Sequence, residues 1–242
     1  RPDFNEKSNN TIRVNAKEYQ MKIGNLVYML PIRFDIYRQV KELARAMQSP
    51  DVFYNNHLFH LLRYLKSCPN MGPRYSADPK DFPNGVELYA SADSAFANMW
   101  NRQSTGAYTL SIGKNNAPFK VSSNVAPGIQ TNPAESEYCN LSICGKEVQR
   151  WRYFLEELGH KQTKPTIIEQ DNLPAIKLTK APAISKKSRH IDVSTHHVRN
   201  LYNEGIINPI HTDTNIIKAD GLTKHFNPTK FLWIRRNLVN IF

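Results

Sequence analysis

The chain has 242 residues, 40% of them apolar, which is enough for one large domain or for a compact domain beside a helical extension, each with its own core. It has no run of eighteen apolar residues and no N-terminal secretory pattern, so the expectation is a soluble, intracellular protein with no membrane partner, its compartment (cytoplasm, nucleus or organelle) left open. Three cysteines without C-x-x-C spacing argue against a disulfide framework or a zinc site, and a formal charge of +11 points to a polyanionic partner, nucleic acid first.

Residues 1–18 are polar, rich in Asn and Lys and without a period, and are expected to be an irregular lead-in. Residues 19–67 read as a helical unit. From Asp35 to Met47 the apolar Ile36, Val40, Leu43, Ala44 and Met47 recur at helical spacing. After Ser49-Pro50, Asp51 caps a second helix with Leu58, Leu61, Leu62 and Leu65 as its buried stripe. Residues 68–85 contain Pro69, Pro73, Pro79 and Pro83 and read as a linker.

From 86 to 242 the pattern changes. Leu88 to Ala92, Tyr108 to Ile112 and Pro118 to Ser122 are short β-compatible runs separated by turn residues. A long helix is expected from Ala134 to Leu158, a fourth strand from Thr166 to Gln170, and a short helix from Leu173 to Thr179. A helix over Ser188 to Asn203, a strand over Ile206 to His211, a helical turn over Ile217 to Lys224 and a closing helix over Pro228 to Val239 complete the order βββαβααβα. The expected class is α/β, of the mixed α+β kind, with helices against a mixed five-stranded sheet.

Four carboxylates stand at the ends of strands or the starts of helices: Asp93, Glu137 (expected in the first turn of the long helix), Asp171 and Asp220. Taken singly, each reads equally well as a helix cap or macrodipole partner, worth about 0.3–1 kcal/mol. Taken together they are an all-oxygen donor set suited to a hard cation, two Mg²⁺ or Mn²⁺ ions being the expectation. Such a pair activates water and neutralises a leaving oxygen in phosphodiester hydrolysis.

Several blocks carry a resemblance. Lys17-Glu18-Tyr19-Gln20 with Ile23-Gly24-Asn25-Leu26-Val27-Tyr28, then Arg33-Phe34-Asp35-Ile36 and Leu62-Arg63-Tyr64-Leu65-Lys66, precede a second set. That set comprises Asp93-Ser94-Ala95-Phe96-Ala97, Arg102-Gln103-Ser104-Thr105, Ala134-Glu135-Ser136-Glu137-Tyr138, Asp171-Asn172-Leu173-Pro174-Ala175-Ile176, Ser188-Arg189-His190-Ile191-Asp192-Val193 and Ala219-Asp220-Gly221-Leu222-Thr223-Lys224. In this order they resemble the C-terminal part of the pol polyprotein of copia-type LTR retrotransposons, the end of the reverse transcriptase followed by its ribonuclease H domain. The resemblance runs from about Glu18 to Val239.

It implies a ribonuclease H-like fold over 86–242, a reverse-transcriptase tail over 19–67, Mg²⁺ dependence and cleavage of the RNA strand of an RNA/DNA hybrid. It also implies that Asp93, Glu137, Asp171 and Asp220 are both the catalytic residues and the metal ligands. The resemblance leaves Glu135 beside Glu137 and Ser91 beside Asp93 as alternative occupants of two of those places.

Arg102, Gln103, Ser104, Asn172, Lys186, Lys187 and Arg189 are the candidate nucleic-acid contacts; for the cations a solvated helix face is an equal reading. Expected partners are a hybrid or other nucleic acid, a polymerase portion, or a larger ribonucleoprotein assembly. Two rival functions stay open: a recruited retrotransposon domain that binds or scaffolds without cutting, and an integrase- or resolvase-like nuclease acting on DNA.

Overall fold

A computed structural model describes residues 14–76, 78, 80, 85–99, 101–181, 193–224 and 228–239. The chain begins with α1 (Ala16–Met29), whose N-cap Asn15 accepts from the backbone of Lys17 and Glu18 and whose Tyr19, Ile23 and Leu26 are buried. This helix takes up the end of the expected irregular lead-in and the start of the expected helical unit, where no helix bounds were read. A 3-10 turn (Phe34–Ile36) and α2 (Tyr37–Ala44) then stand where a single helix to Met47 was expected. The turn is fixed by Asp35, which is buried. Its two carboxylate oxygens accept from Arg33 Nε (2.9 Å) and Nη2 (2.8 Å), and Tyr64 Oη donates to Oδ2 at 2.6 Å. Tyr64 lies on α3 (Val52–Ser67), which Asp51 caps as expected. One core, built on Tyr19, Ile23, Val40, Leu43, Leu58 and Leu61, joins the three helices.

The sheet comprises β1 (Leu88–Ala95), β2 (Thr105–Ile112), β3 (Lys120–Val125), β4 (Thr166–Gln170) and β5 (Ile207–His211). Its order is β3-β2-β1-β4-β5, antiparallel from β1 to β3 and parallel from β1 through β4 to β5. With α4 (Pro133–Glu157), α5 (Leu173–Lys180), α6 (Val193–Asn203), a 3-10 turn (Lys218–Leu222) and α7 (Pro228–Val239), this is the ribonuclease H-like topology that the resemblance implied.

Alternation along the strands sorts side chains between two cores. Leu88, Ala90, Ala92, Tyr108, Leu110 and Ile168 lie under α4 and α6, with Tyr138, Leu141, Val148, Val198 and Leu201. On the opposite face Ala107 and Val121 meet Leu222, Ile234, Leu238 and Val239. Phe34 from the helical part is buried in this second core, and Tyr64 stacks edge-on against Phe231 at 5.9 Å. The last helix is therefore held from both sides. No helix among the described residues is long and apolar enough to cross a membrane.

Candidate metal centre

Parallel pairing of β1 with β4 sets the centre. Ser91 is level with Glu169, so carrying that register on by two residues sets Asp93, within β1, beside Asp171, the residue directly after β4, with the two strands about 4.8 Å apart. Asp93 does not close its strand, as expected from sequence, but sits within it and opposite Ala107. The long helix starts at Pro133, with Asn132 as its N-cap, so Glu137 falls in its second turn and not the first. The first-turn acid is Glu135, whose Oε2 accepts from Thr131 N (2.8 Å) and Thr131 Oγ1 (2.5 Å). Glu135 is therefore used in capping, and Glu137 is the acid turned inward. Carboxylate oxygens of Asp93, Glu137 and Asp171 lie within 4.8 Å of one another, with Asp93 and Glu137 buried and Asp171 half-buried.

Asp220 stands beside this trio, outside that group. It is 1% exposed, with Lys224 Nζ 2.6 Å from Oδ1 and Lys230 Nζ 2.8 Å from Oδ2, the second an ion pair without hydrogen-bond alignment. Lys224 also approaches Asp93 Oδ1 at 3.3 Å and so bridges two of the acids. Thr223 donates its hydroxyl to Asp93 Oδ2. On the other side Thr214 Oγ1 donates to Asp171 Oδ2 at 2.8 Å, while Lys230 donates to the Thr214 carbonyl at 2.9 Å.

Gathering acids away from water raises the cost of their charge. Burial, with Asp93 and Asp171 alongside, pushes the Glu137 carboxyl up to about 9. Burial also raises Asp93, to about 6; Lys224 and the Thr223 hydroxyl pull it down, against Asp220 and Asp171. Lys224 loses by burial but gains more from Asp93 and Asp220, and its ammonium is held above its usual value. Three converging oxygens with so little compensating charge are a donor set that a hard divalent cation fits.

No family model matches the chain. It is 30% identical over 215 residues to the retrovirus-related Pol polyprotein from transposon RE1 of Arabidopsis thaliana, and 29% identical to that from RE2 of the same plant. To the Pol polyprotein from transposon TNT 1-94 of Nicotiana tabacum it is 28% identical over 218 residues. Its homologues are Pol polyproteins of copia-type retrotransposons. Each alignment covers 88% of this chain but only 14 to 16% of the relative, so the chain spans about one seventh of the length of these Pol proteins.

Among solved structures it is similar to LC11-RNase H1 in complex with an RNA/DNA hybrid, at 12% identity and TM-score 0.42 over 57% of this chain and 94% of that one. RNase H1 from Halobacterium salinarum gives 12% and 0.38 over 57% and 94%. The foamy viral protease-reverse transcriptase in complex with double-stranded DNA gives 11% and 0.34 over 86% and 36%.

Within this Pol-related chain the supports of the centre are residues that sequence reasoning passed over. Asn140, on α4, donates to the carbonyls of Asp93 (2.9 Å) and Ala107 (2.8 Å), pinning the helix to the strand pair at the level of the acids. Gln170 ends β4; its Nε2 donates to Glu137 Oε2 at 3.1 Å while its Oε1 accepts from the backbone of Asp171 at 2.8 Å and Asn172 at 3.3 Å. Ser91 shares a hydrogen bond with Thr109 (2.8 Å) and accepts from Ala219 N (3.1 Å), while Asp93 joins the other acids. Of these, only Ser91 was singled out from sequence, and there as an alternative to Asp93 and not as a support.

The candidate nucleic-acid contacts divide. Arg102 is exposed on the β1–β2 loop at φ +64°, and Gln103 shares that loop. Ser104 is buried and accepts from Ala97 N at 3.1 Å, which makes it a loop brace. Asn172 is the N-cap of α5, accepting from Ala175 N at 3.0 Å. Lys186, Lys187 and Arg189 lie outside the described residues.

Proposed function

We propose that this chain is a metal-dependent endonuclease that cleaves the RNA strand of RNA/DNA hybrids, working with the polymerase portion of a Pol protein. The observation that carries the reading is the convergence of Asp93, Glu137 and Asp171, two of them forced above ordinary carboxyl pKa values by their own proximity and burial. Divalent ions, Mg²⁺ or Mn²⁺, held there would supply an activated water and a neutralised leaving oxygen. The chain's own residues supply position. Asn140 fixes the strand that carries Asp93, Gln170 orients Glu137, and Thr214 orients Asp171. Asp220 completes the expected four, and it reaches a metal only by giving up one of its lysines.

That same lysine bridge favours a second reading, in which Lys224 neutralises Asp93 and Asp220 permanently and the chain serves as a nucleic-acid-binding subunit. A hybrid labelled on its RNA strand separates the two. The first reading expects cuts in Mg²⁺ or Mn²⁺, no cuts under chelation, and a loss of more than about 100-fold in Asp93→Asn, equivalent to roughly 2.7 kcal/mol. Binding without cuts in either ion would select the second, and cuts confined to a DNA substrate would select a DNA nuclease.

A further inference from the structure

Away from the carboxylates, α2 crosses the β2–β3 side of the sheet and leaves a crease of about 280 Å³ lined by Arg38, Lys41, Glu42 and Arg45 from the helical part and by Thr105 and Asn124 from the sheet. Three cations repeat here at i, i+3 and i+7, which a helix places along one face over about 10.5 Å. Lys41 and Arg45 are exposed; Arg38 is 9% exposed. The Nη1 atom of Arg38 has no hydrogen-bond partner among the described residues, and neither has the buried Thr105 Oγ1. Glu42, the carboxylate in the crease, is taken by Arg45 at 2.8 Å. Burial therefore lowers the Arg38 pKa, an effect Glu42 only partly offsets, with Arg45 adding to it.

A buried guanidinium without its own anion is costly, and natural interiors seldom leave one so. The wall opposite belongs to the end of the sheet that carries the acids. Thr105 faces Ala95 on β1, two residues past Asp93, and Arg45 Nη1 reaches Met99 Sδ at 3.1 Å on the loop that carries Arg102. Lys41 meets Asn124 Oδ1 at 3.4 Å across the crease.

We infer that this crease is a phosphodiester-binding subsite in which Arg38, Lys41 and Arg45 hold one strand of a nucleic acid whose other part lies at the carboxylates. The three cations span the axial rise of about three phosphates of one strand. Guanidinium groups suit this, since their planar donors match phosphate oxygens. The subsite needs both parts of the chain: the helices bring the charges, and the sheet brings the second wall. The inference extends the nuclease reading to a named strand path, and it concerns binding and not cleavage.

Fluorescence anisotropy with a labelled RNA/DNA hybrid in EDTA, over a range of salt concentrations, tests it on the full chain. Lys41→Ala/Arg45→Ala is expected to weaken binding about 10-fold or more and to flatten the slope of log K against log salt by about 1 to 2, at roughly 0.9 per phosphate lost. Lys161→Ala/Lys164→Ala, at the opposite end of β1 and β4, removes equal charge and should leave the slope unchanged. Arg38→Met should lower affinity while leaving thermal stability equal or higher, because it removes an unpaired buried charge.

Equal losses from the two double variants would reduce the effect to net charge and overturn the subsite. An unchanged affinity in Arg38→Met with lowered stability would make that residue structural and likewise overturn it. Weakened binding in a chain that cuts no hybrid would keep the subsite and sink the nuclease reading. Full cleavage with unaltered binding by all variants would do the reverse.

Discussion

Glu137 concentrates the cost of the carboxylate cluster in one side chain. Its carboxyl is held at about 9, far above its ordinary 4.5, by burial and by Asp93 and Asp171. In the metal-free chain the native state therefore keeps a proton that the unfolded chain releases once the pH passes about 4.5. Stability conferred by the protonated form is complete below that pH and is lost progressively up to about pH 9.

Glu137→Gln removes this dependence and should stabilise the metal-free protein by about 1 to 3 kcal/mol at pH 7 while abolishing cleavage. Thermal melts in EDTA from pH 5 to 9 would show wild type falling relative to the variant; parallel curves would contradict the assignment. The acids were legible in sequence because a carboxylate at a strand end, inside a recognisable block, already suggests a use. Asn140, Gln170 and Thr223 were not, since the acids they hold lie dozens of residues away, Asp93 for Asn140 and Thr223 and Glu137 for Gln170, and a polar residue announces nothing by itself.

Elements show a similar division. The long α4 was readable from its apolar recurrence, although Leu158, expected as its last residue, lies just past the helix end at Glu157 and is 58% exposed. The first helix was missed, yet Tyr19, Ile23 and Leu26 stand four and three residues apart; their polar neighbours masked a stripe only three residues long. The break before α2 rests on Asp35, which Arg33 holds from two residues away but which Tyr64 reaches across twenty-nine residues, a contact that only the fold creates.

The close approach of α7 to the Lys218–Leu222 turn is also tertiary. A Cβ at Gly221 would collide with the γ2 methyl of Ile234, which is branched at its β carbon and has little room to yield. Gly221→Ala should destabilise the chain by about 1 to 3 kcal/mol, as overpacking does. In a denaturation cycle with Ile234→Ala the combined loss should be smaller than the sum; strict additivity would mean the two do not touch.

Across the whole molecule, the helical part and the sheet share a core through Phe34 and α7, and the crease of Arg38, Lys41 and Arg45 lies where they meet. Sequence composition separated the two parts at the proline-rich stretch, but composition carries no information about surfaces that meet over long separations. Part of the excess of positive charge lies in this arrangement on a helix face beside the acidic end of the sheet, in Arg38, Lys41 and Arg45. If folding gathers three acids to receive a divalent cation, thermal unfolding at pH 7 should respond to Mn²⁺. The midpoint is expected to rise with Mn²⁺, a gain of about 2.7 kcal/mol in stability at one hundred times the dissociation constant, with no rise in Asp93→Asn. A wild-type midpoint indifferent to Mn²⁺, or an equal rise in the variant, would contradict it.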